Sequence, residues 1–405
     1  MNIAIISVFN VSLLEGFVYP EYRERIRRLN SNFTPAVAAL TLELLRKGEN
    51  IVVFTLDEKA EGVEEFHGER VSVYVAPAIP RIKKLLTCGM STTLEIRKLF
   101  KLHKAKIDVV SAHWTRDYAI AAKAFIGKSP VFVTVRDILP YILTQIKTNR
   151  LRWRWIWLQN EYVLRTQGYR YIANSAYTAH EVERYWGHRI PVVPNSVDMA
   201  GNPVESCPKP PSNDRDFFVT SISLSNFSDK RKNIGTLLKA FSIFRKTYPK
   251  AVLNLVGPYF TEDNPQAKDY RSNDLMEGVR LMGRRSPEQL KQILSESTMM
   301  VHPSHEETFG NTLIEALACG VPVVAGINSG AVPWVLEHGR LGYLCDVSSA
   351  NTIADTMLHV AGNYEEAVTK AELGKQTCRT TYSLSNVADE YLRIFQKSLT
   401  GTVES

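Results

Sequence analysis

Twice along this chain, short uninterrupted runs of aliphatic and β-branched residues alternate with stretches of helical apolar spacing, and a proline-rich break separates the two series. No other feature constrains the fold as much. A strand that is apolar on every side must be covered on both faces, and helices between successive strands supply that cover when the strands run parallel. The first series holds Ile3–Val8, Ile51–Thr55, Val71–Val75, Ile107–Ser111, Val131–Val135 and Tyr171–Asn174, with a helix expected over Pro35–Lys47 ending near Gly48. The break, Gly201–Asp216, carries Pro203, Pro208, Pro210 and Pro211 among polar residues and reads as a linker. Beyond it come the strands Phe217–Ile222, Ala251–Val256, Met299–His302 and Pro322–Ala325, with helices over Asn233–Lys246 and from Asn311 to Ala318. Ser286-Pro287-Glu288-Gln289 has the spacing of a capping box with proline at the first helical position.

The pattern predicts an α/β protein of two Rossmann-like domains facing across a cleft. Residues 1–200 form the first, 201–216 the linker and 217–382 the second; residues 383–405 form a closing amphipathic helix expected to return to the N-terminal domain. A length of 405 residues suits two domains. The five cysteines are scattered and never spaced C-x-x-C, which argues against a disulfide framework or a zinc site. No apolar run reaches the ~20 residues that span a bilayer. The first residues run straight into a strand, so no signal peptide is expected and the cytoplasm is the expected compartment.

Chemistry concentrates in Pro303–Val324. There a buried strand ends, a polar loop brings Glu307, Gly310 permits close backbone approach, and a helix opens with Glu315 about one turn in and Gly320 after its end. The free N–H groups at that helix start form an anion site at the carboxyl end of a parallel strand. Phosphate alone has no use for two nearby carboxylates. A sugar nucleotide does, because its hydroxyls need acceptors on either side of a diphosphate.

Glu307 and Glu315, with seven residues between them, resemble the E-x7-E motif of the retaining glycosyltransferases of family 4, which have the GT-B fold; the sequence around them, from Pro303-Ser304 through Glu307-Thr308-Phe309-Gly310-Asn311 to Val324, is similar nearly throughout. Val192–Asp198 resembles the segment that closes the family's N-terminal domain, and Lys232-Asn233 the pair after its first C-domain strand. Tyr171–Ser175, Asp108–Trp114, Val133–Asp137 and Gly342-Tyr343-Leu344 also have counterparts, so the resemblance covers essentially the whole chain.

The resemblance implies a nucleotide-sugar donor, UDP- or GDP-linked, held by the C-terminal domain as a substrate with no cofactor. Glu315 would accept from the ribose hydroxyls. Glu307 would hold the transferred sugar, with the backbone amides of Phe309, Gly310, Asn311 and Thr312 beside the diphosphate. Lys232, with Arg231, would neutralise the phosphates without a metal ion, which is the largest catalytic contribution when no nucleophile is available. Gly16, in the first loop, stands where the family has a glycine-rich donor loop. Arg136 stands where it has a histidine, and would act as a fixed cation toward the sugar or acceptor. Two further departures are the serine-rich Ser221–Ser225, which lacks the usual arginine, and Trp334, in place of a glutamate. A sugar-nucleotide 2-epimerase and a catalytically weakened binding protein on the same fold are the alternative readings. The expected acceptor is a glycan or lipid-linked molecule in surface polysaccharide or glycolipid synthesis.

Charge points to a further partner. Residues 1–200 carry +9 and residues 201–405 carry −2, and Arg81–Arg154 alone holds 16 basic and 4 acidic side chains. Arg150–Trp157 interleaves arginine with tryptophan. Its tryptophans are expected to pack inward, or else the segment and the basic stretch meet an anionic membrane face; nucleic acid is the less favoured partner. His302 and His305 read as core or loop histidines. Asp214-Arg215-Asp216 resembles a metal-binding D-x-D but lies in the linker, and no G-x-G-x-x-G follows the first strand.

Overall fold

The computed structural model describes residues 1–31, 34–87, 89–140, 143, 150–199 and 217–400. The linker 201–216, with its Asp214-Arg215-Asp216, lies outside them. The chain divides into two compact units, Met1–Ser196 with Leu384–Ser405, and Val197–Ser383.

In the N-terminal unit seven strands are described: β1 (Asn2–Ile6), β2 (Asn50–Asp57), β3 (Glu64–His67), β4 (Val71–Pro77), β5 (Val109–His113), β6 (Val131–Val135) and β7 (Tyr169–Ala173). Their order is β3-β4-β2-β1-β5-β6-β7, parallel except for β3, which runs against β4 at the edge. Alternation along β1 explains its unbroken apolar sequence. Ile3 and Ile5 enter one core, while Ala4 and Ile6 enter the core on the opposite face. The helix Leu384–Thr400 belongs to this unit and buries Val387, Ala388, Tyr391 and Phe395 in the first of these cores. Its Phe395 ring lies 5.0 Å from Phe132, and the Tyr391 hydroxyl is 3.2 Å from Thr134 Oγ1.

The C-terminal unit has six described strands: β8 (Phe218–Ile222), β9 (Val252–Val256), β10 (Val279–Gly283), β11 (Met299–His302), β12 (Val323–Gly326) and β13 (Tyr343–Cys345). They are all parallel, in the order β10-β9-β8-β11-β12-β13. The winding leaves β8 in one direction and resumes at β11 in the other. The carboxyl ends of β8 and β11 therefore flank a topological switch point, where open α/β sheets bind ligands. The N-terminal sheet has the same reversal between β1 and β5.

The N-terminal unit gives way at Val197 rather than at residue 200, because the Val197 amide bonds to the Tyr382 carbonyl at 2.8 Å and Val197 pairs with Ser383. Three short strands depart from the sequence pattern: β3, at an edge, turns only Glu64 and Phe66 inward, β10 is only half-buried at the other sheet's edge, and β13 is three residues long. At Ser286 the capping box forms reciprocally: Gln289 N–H donates to the serine oxygen and the Ser286 amide to Gln289 Oε1.

Candidate active site

Two loops meet at the switch point of the C-terminal sheet, one after β8 and one after β11. Asn233 joins them. It adopts φ +56° at the start of the helix Ile234–Thr247, a backbone that asparagine tolerates better than most residues. From there its side-chain amide donates to the Pro303 carbonyl at 3.1 Å and to the Val347 carbonyl at 2.7 Å. The His305 amide donates back to the Arg231 carbonyl at 2.8 Å. These bonds fix Lys232, one residue before Asn233, beside the second loop.

Lys232 Nζ lies 2.5 Å from Glu307 Oε1, with both side chains largely enclosed. The same oxygen is 3.1 Å from His302 Nε2, and the other ring nitrogen of His302 is 3.2 Å from the Thr312 hydroxyl. An ionised Glu307 accepts from Nε2–H, which leaves Nδ1 to accept from the threonine. Burial alone would raise the Glu307 carboxyl. The Lys232 ammonium and the His302 hydrogen bond outweigh it and hold the group far below the usual carboxylate range. Its backbone is pinned too: Ala331 N–H donates to the Glu307 carbonyl at 2.8 Å and the Glu307 amide to Ser329 at 3.3 Å.

Gly310, at φ +90°, starts the helix Asn311–Ala318; a Cβ there would come 2.8 Å from Leu313 Cδ1. The first N–H groups of such a helix have no partners within it and carry its positive end. One turn on, Glu315 is half-buried, and no side-chain hydrogen bond or ion pair from the other described residues reaches its carboxyl group. Burial pushes this group up to about 7. The loop thus holds one carboxylate firmly ionised, and the helix that follows holds another without a donor among the described residues.

The remaining predicted residues sort differently. Arg231 points to acids, 3.8 Å from both Glu306 and Asp229. Phe309 is buried, edge-on to Trp334 and Tyr382, so it can offer a ligand only its backbone. Trp334, where a glutamate was expected, is thereby part of the packing under the loop. Leu224 stands exposed in the serine-rich loop after β8. Gly16 and Arg136 belong to the N-terminal unit. Gly16 has no positive φ and its Cβ position is open, so nothing in its conformation requires glycine. Arg136, buried just after β6, bonds to Asn195 Oδ1 and lies 3.4 Å from His113 Nδ1 and 6.0 Å from the Trp114 ring. Burial first, and the guanidinium second, push His113 well below the ordinary histidine range, which keeps its ring neutral beside Arg136. His302 was read from sequence as a core or loop histidine. It is buried, but it also joins Glu307 to Thr312, and the one sequence signal was a polar residue at the very end of an apolar strand.

A family model described as Glycosyl transferases group 1 matches residues 209–376, and another, Glycosyltransferase Family 4, matches residues 36–200. The solved structure of sucrose-phosphate synthase from Thermosynechococcus elongatus superposes with a TM-score of 0.76 at 18% identity, over 99% of this chain and 100% of that one. HepE from Anabaena, solved with UDP-glucose, superposes with a TM-score of 0.66 at 17% identity, over 98% and 100%. Among curated relatives, the N-acetyl-alpha-D-glucosaminyl L-malate synthase of Bacillus anthracis is 29% identical over 175 residues, 43% of this chain and 44% of that protein. The chain spans less than half the length of that relative. Fold and family models together make this chain a glycosyltransferase of the GT-B fold, belonging to the family 4 type.

Proposed function

We propose that the chain transfers a hexose from a UDP- or GDP-sugar to a glycan or lipid-linked acceptor, with retention of anomeric configuration and without a divalent metal, in surface polysaccharide or glycolipid synthesis. The observation that carries this reading is the pairing of two unlike carboxylates on one anion-binding loop and the helix that follows it. Glu307 is held ionised by Lys232 and His302, and Glu315 has no donor among the described residues. A ribose brings two hydroxyl donors to Glu315. The diphosphate lies against the first amides of the Asn311–Ala318 helix and draws the Lys232 ammonium, while Glu307 accepts from hydroxyls of the transferred sugar. As the bond from the anomeric carbon to the diphosphate oxygen breaks, the acceptor oxygen attacks from the face the diphosphate leaves. The acceptor's proton passes to the departing phosphate. The positive groups around that phosphate are placed to stabilise the charge that develops on it. Arg136 holds an acidic acceptor or steadies negative charge from the N-terminal unit. The UDP-glucose bound by HepE, on the same fold, supports a nucleotide-sugar donor.

The test is a panel of nucleotide sugars with candidate acceptors, the product anomer being read by NMR with and without chelator. A retained anomer and chelator-independent turnover are expected; an inverted product, or activity abolished by chelator, refutes the reading.

A further inference from the structure

The helices Arg81–Leu86 and Met90–Leu99 follow one another on the surface of the N-terminal unit. Ile82, Leu86, Met90 and Leu94 recur at intervals of four along them, and they are 75%, 78%, 50% and 53% exposed. In the second helix the inward positions are already taken by Thr92, Thr93, Ile96 and Leu99, so Met90 and Leu94 are not core residues. Each helix thus exposes a pair of large apolar side chains one turn apart, Ile82 with Leu86 and Met90 with Leu94, on either side of the left-handed Gly89, and such pairs on successive helices are uncommon on a protein that meets only water. The second pair is edged by Lys83, Lys98 and Lys101, which line a shallow depression of about 440 Å³ together with Met90 and Leu94. Glu95, the acid in its lining, is paired with Lys98 at 2.7 Å.

The helix Arg150–Arg165 extends the face. A Cβ on Gly89 would come 2.2 Å from Gln159 Nε2, so this helix abuts the start of Met90–Leu99. Trp155 and Leu158 stand exposed beside Gln159, and Arg154 is exposed as well. The expected inward packing of the tryptophans thus fails for Trp155. No helix among the described residues is long and apolar enough to cross a membrane.

We propose that this face docks on an anionic lipid bilayer, with Ile82, Leu86, Met90 and Leu94 entering the head-group boundary and Lys83, Lys98 and Lys101 meeting lipid phosphates. Apolar pairs beside a basic rim complement that surface on both counts, since aliphatic side chains favour the acyl boundary and lysine stems reach back to the head groups. The surrounding stretch, with 16 basic and 4 acidic side chains, adds long-range attraction of the same sign. This surface belongs to the N-terminal unit, and the proposal does not depend on the transfer reaction being right.

The test is co-sedimentation of the full chain with vesicles of phosphatidylcholine alone and of equal parts phosphatidylcholine and phosphatidylglycerol, at low and high salt. Binding to the mixed vesicles that falls with salt is expected. Ile82→Ser with Leu86→Ser should weaken it roughly tenfold or more, because two aliphatic side chains no longer leave water. Both positions are exposed, so the melting temperature should not move. Lys98→Gln with Lys101→Gln should lower binding to the mixed vesicles and leave the weak binding to neutral ones. Equal partitioning onto both vesicle types overturns the proposal, as does a serine variant that binds like the parent. So does sedimentation analysis in which the serine changes convert a dimer to a monomer, since a second copy would then occupy the face.

Discussion

Replacing Glu315 by glutamine keeps the shape of the side chain and removes its charge. The carboxyl group titrates at about 7 in the folded chain, against 4.5 for a solvated glutamate. At about 1.4 kcal/mol for each tenfold change in proton affinity, the empty site opposes the ionised form by up to about 3 kcal/mol. Between these two values the folded chain holds a proton that the unfolded chain has lost, so the folded state binds more protons. Stability therefore falls as pH rises from about 4.5 to about 7, and is level above. Glu315→Gln should be more stable than the parent by up to about 3 kcal/mol above pH 7, an advantage that disappears toward pH 4.5. Nucleotide binding moves the other way. Ribose hydroxyls donate to the ionised form, so binding below pH 7 releases the proton, and the affinity of the parent relative to the variant should rise with pH up to about 7 and then level off. Above that point the variant should bind a nucleoside diphosphate more weakly by roughly 1.5–3 kcal/mol, the worth of hydrogen bonds to a charged group. Urea titrations across this pH range and calorimetry of nucleotide binding measure both effects. A variant no more stable than the parent above pH 7, with an affinity ratio that does not change with pH, would refute the reasoning.

Lys232→Met leaves Glu307 enclosed without the ammonium 2.5 Å away, and should destabilise the chain by roughly 3 kcal/mol in a denaturant titration. Adding Glu307→Leu should restore most of that loss while transfer stays absent. A single variant as stable as the parent would show that the pair is not coupled. Because Glu307 is depressed, its contribution is present above about pH 4.5 and lost as pH falls below, so Lys232→Met should flatten the acid limb of the stability profile. Gly310→Ala forces a side chain into φ +90° and against Leu313, which should cost about 1–3 kcal/mol by thermal unfolding and weaken nucleotide binding by shifting the helix start. An unchanged melting temperature would remove the strain argument.

The central strands were legible because burial on both faces writes itself into sequence as unbroken apolar runs, as in Val131–Val135 and Met299–His302. Edge strands escape that rule. In Glu64-Glu65-Phe66-His67 only alternate residues turn inward, and Val279–Gly283 is half-buried, so neither produces a run. In the site, Glu307, Glu315 and Lys232 were readable through a pattern that carries its own spacing. His302 was not, since a histidine closing an apolar strand has no distinguishing neighbours in sequence; only the turn of the next loop brings Glu307 within 3.1 Å. The exposed pairs from Ile82 to Leu94 are the opposite case. A spacing of four is also that of a core-facing helix, and sequence does not record that no other element among the described residues covers these side chains.

The return of the last helix makes the C-terminal unit an uninterrupted stretch inserted into a discontinuous one. On the ribosome the N-terminal sheet is synthesised first, yet Tyr391 and Phe395, which fill its core, emerge only after the whole C-terminal unit. The later-made unit has all its elements in hand once its own stretch is complete, whereas the earlier one has its strands but still lacks a helix. Until Leu384–Thr400 arrives, the first sheet waits with one apolar face partly bare. A stop codon just past residue 383 would therefore damage the half of the molecule farthest from it in sequence.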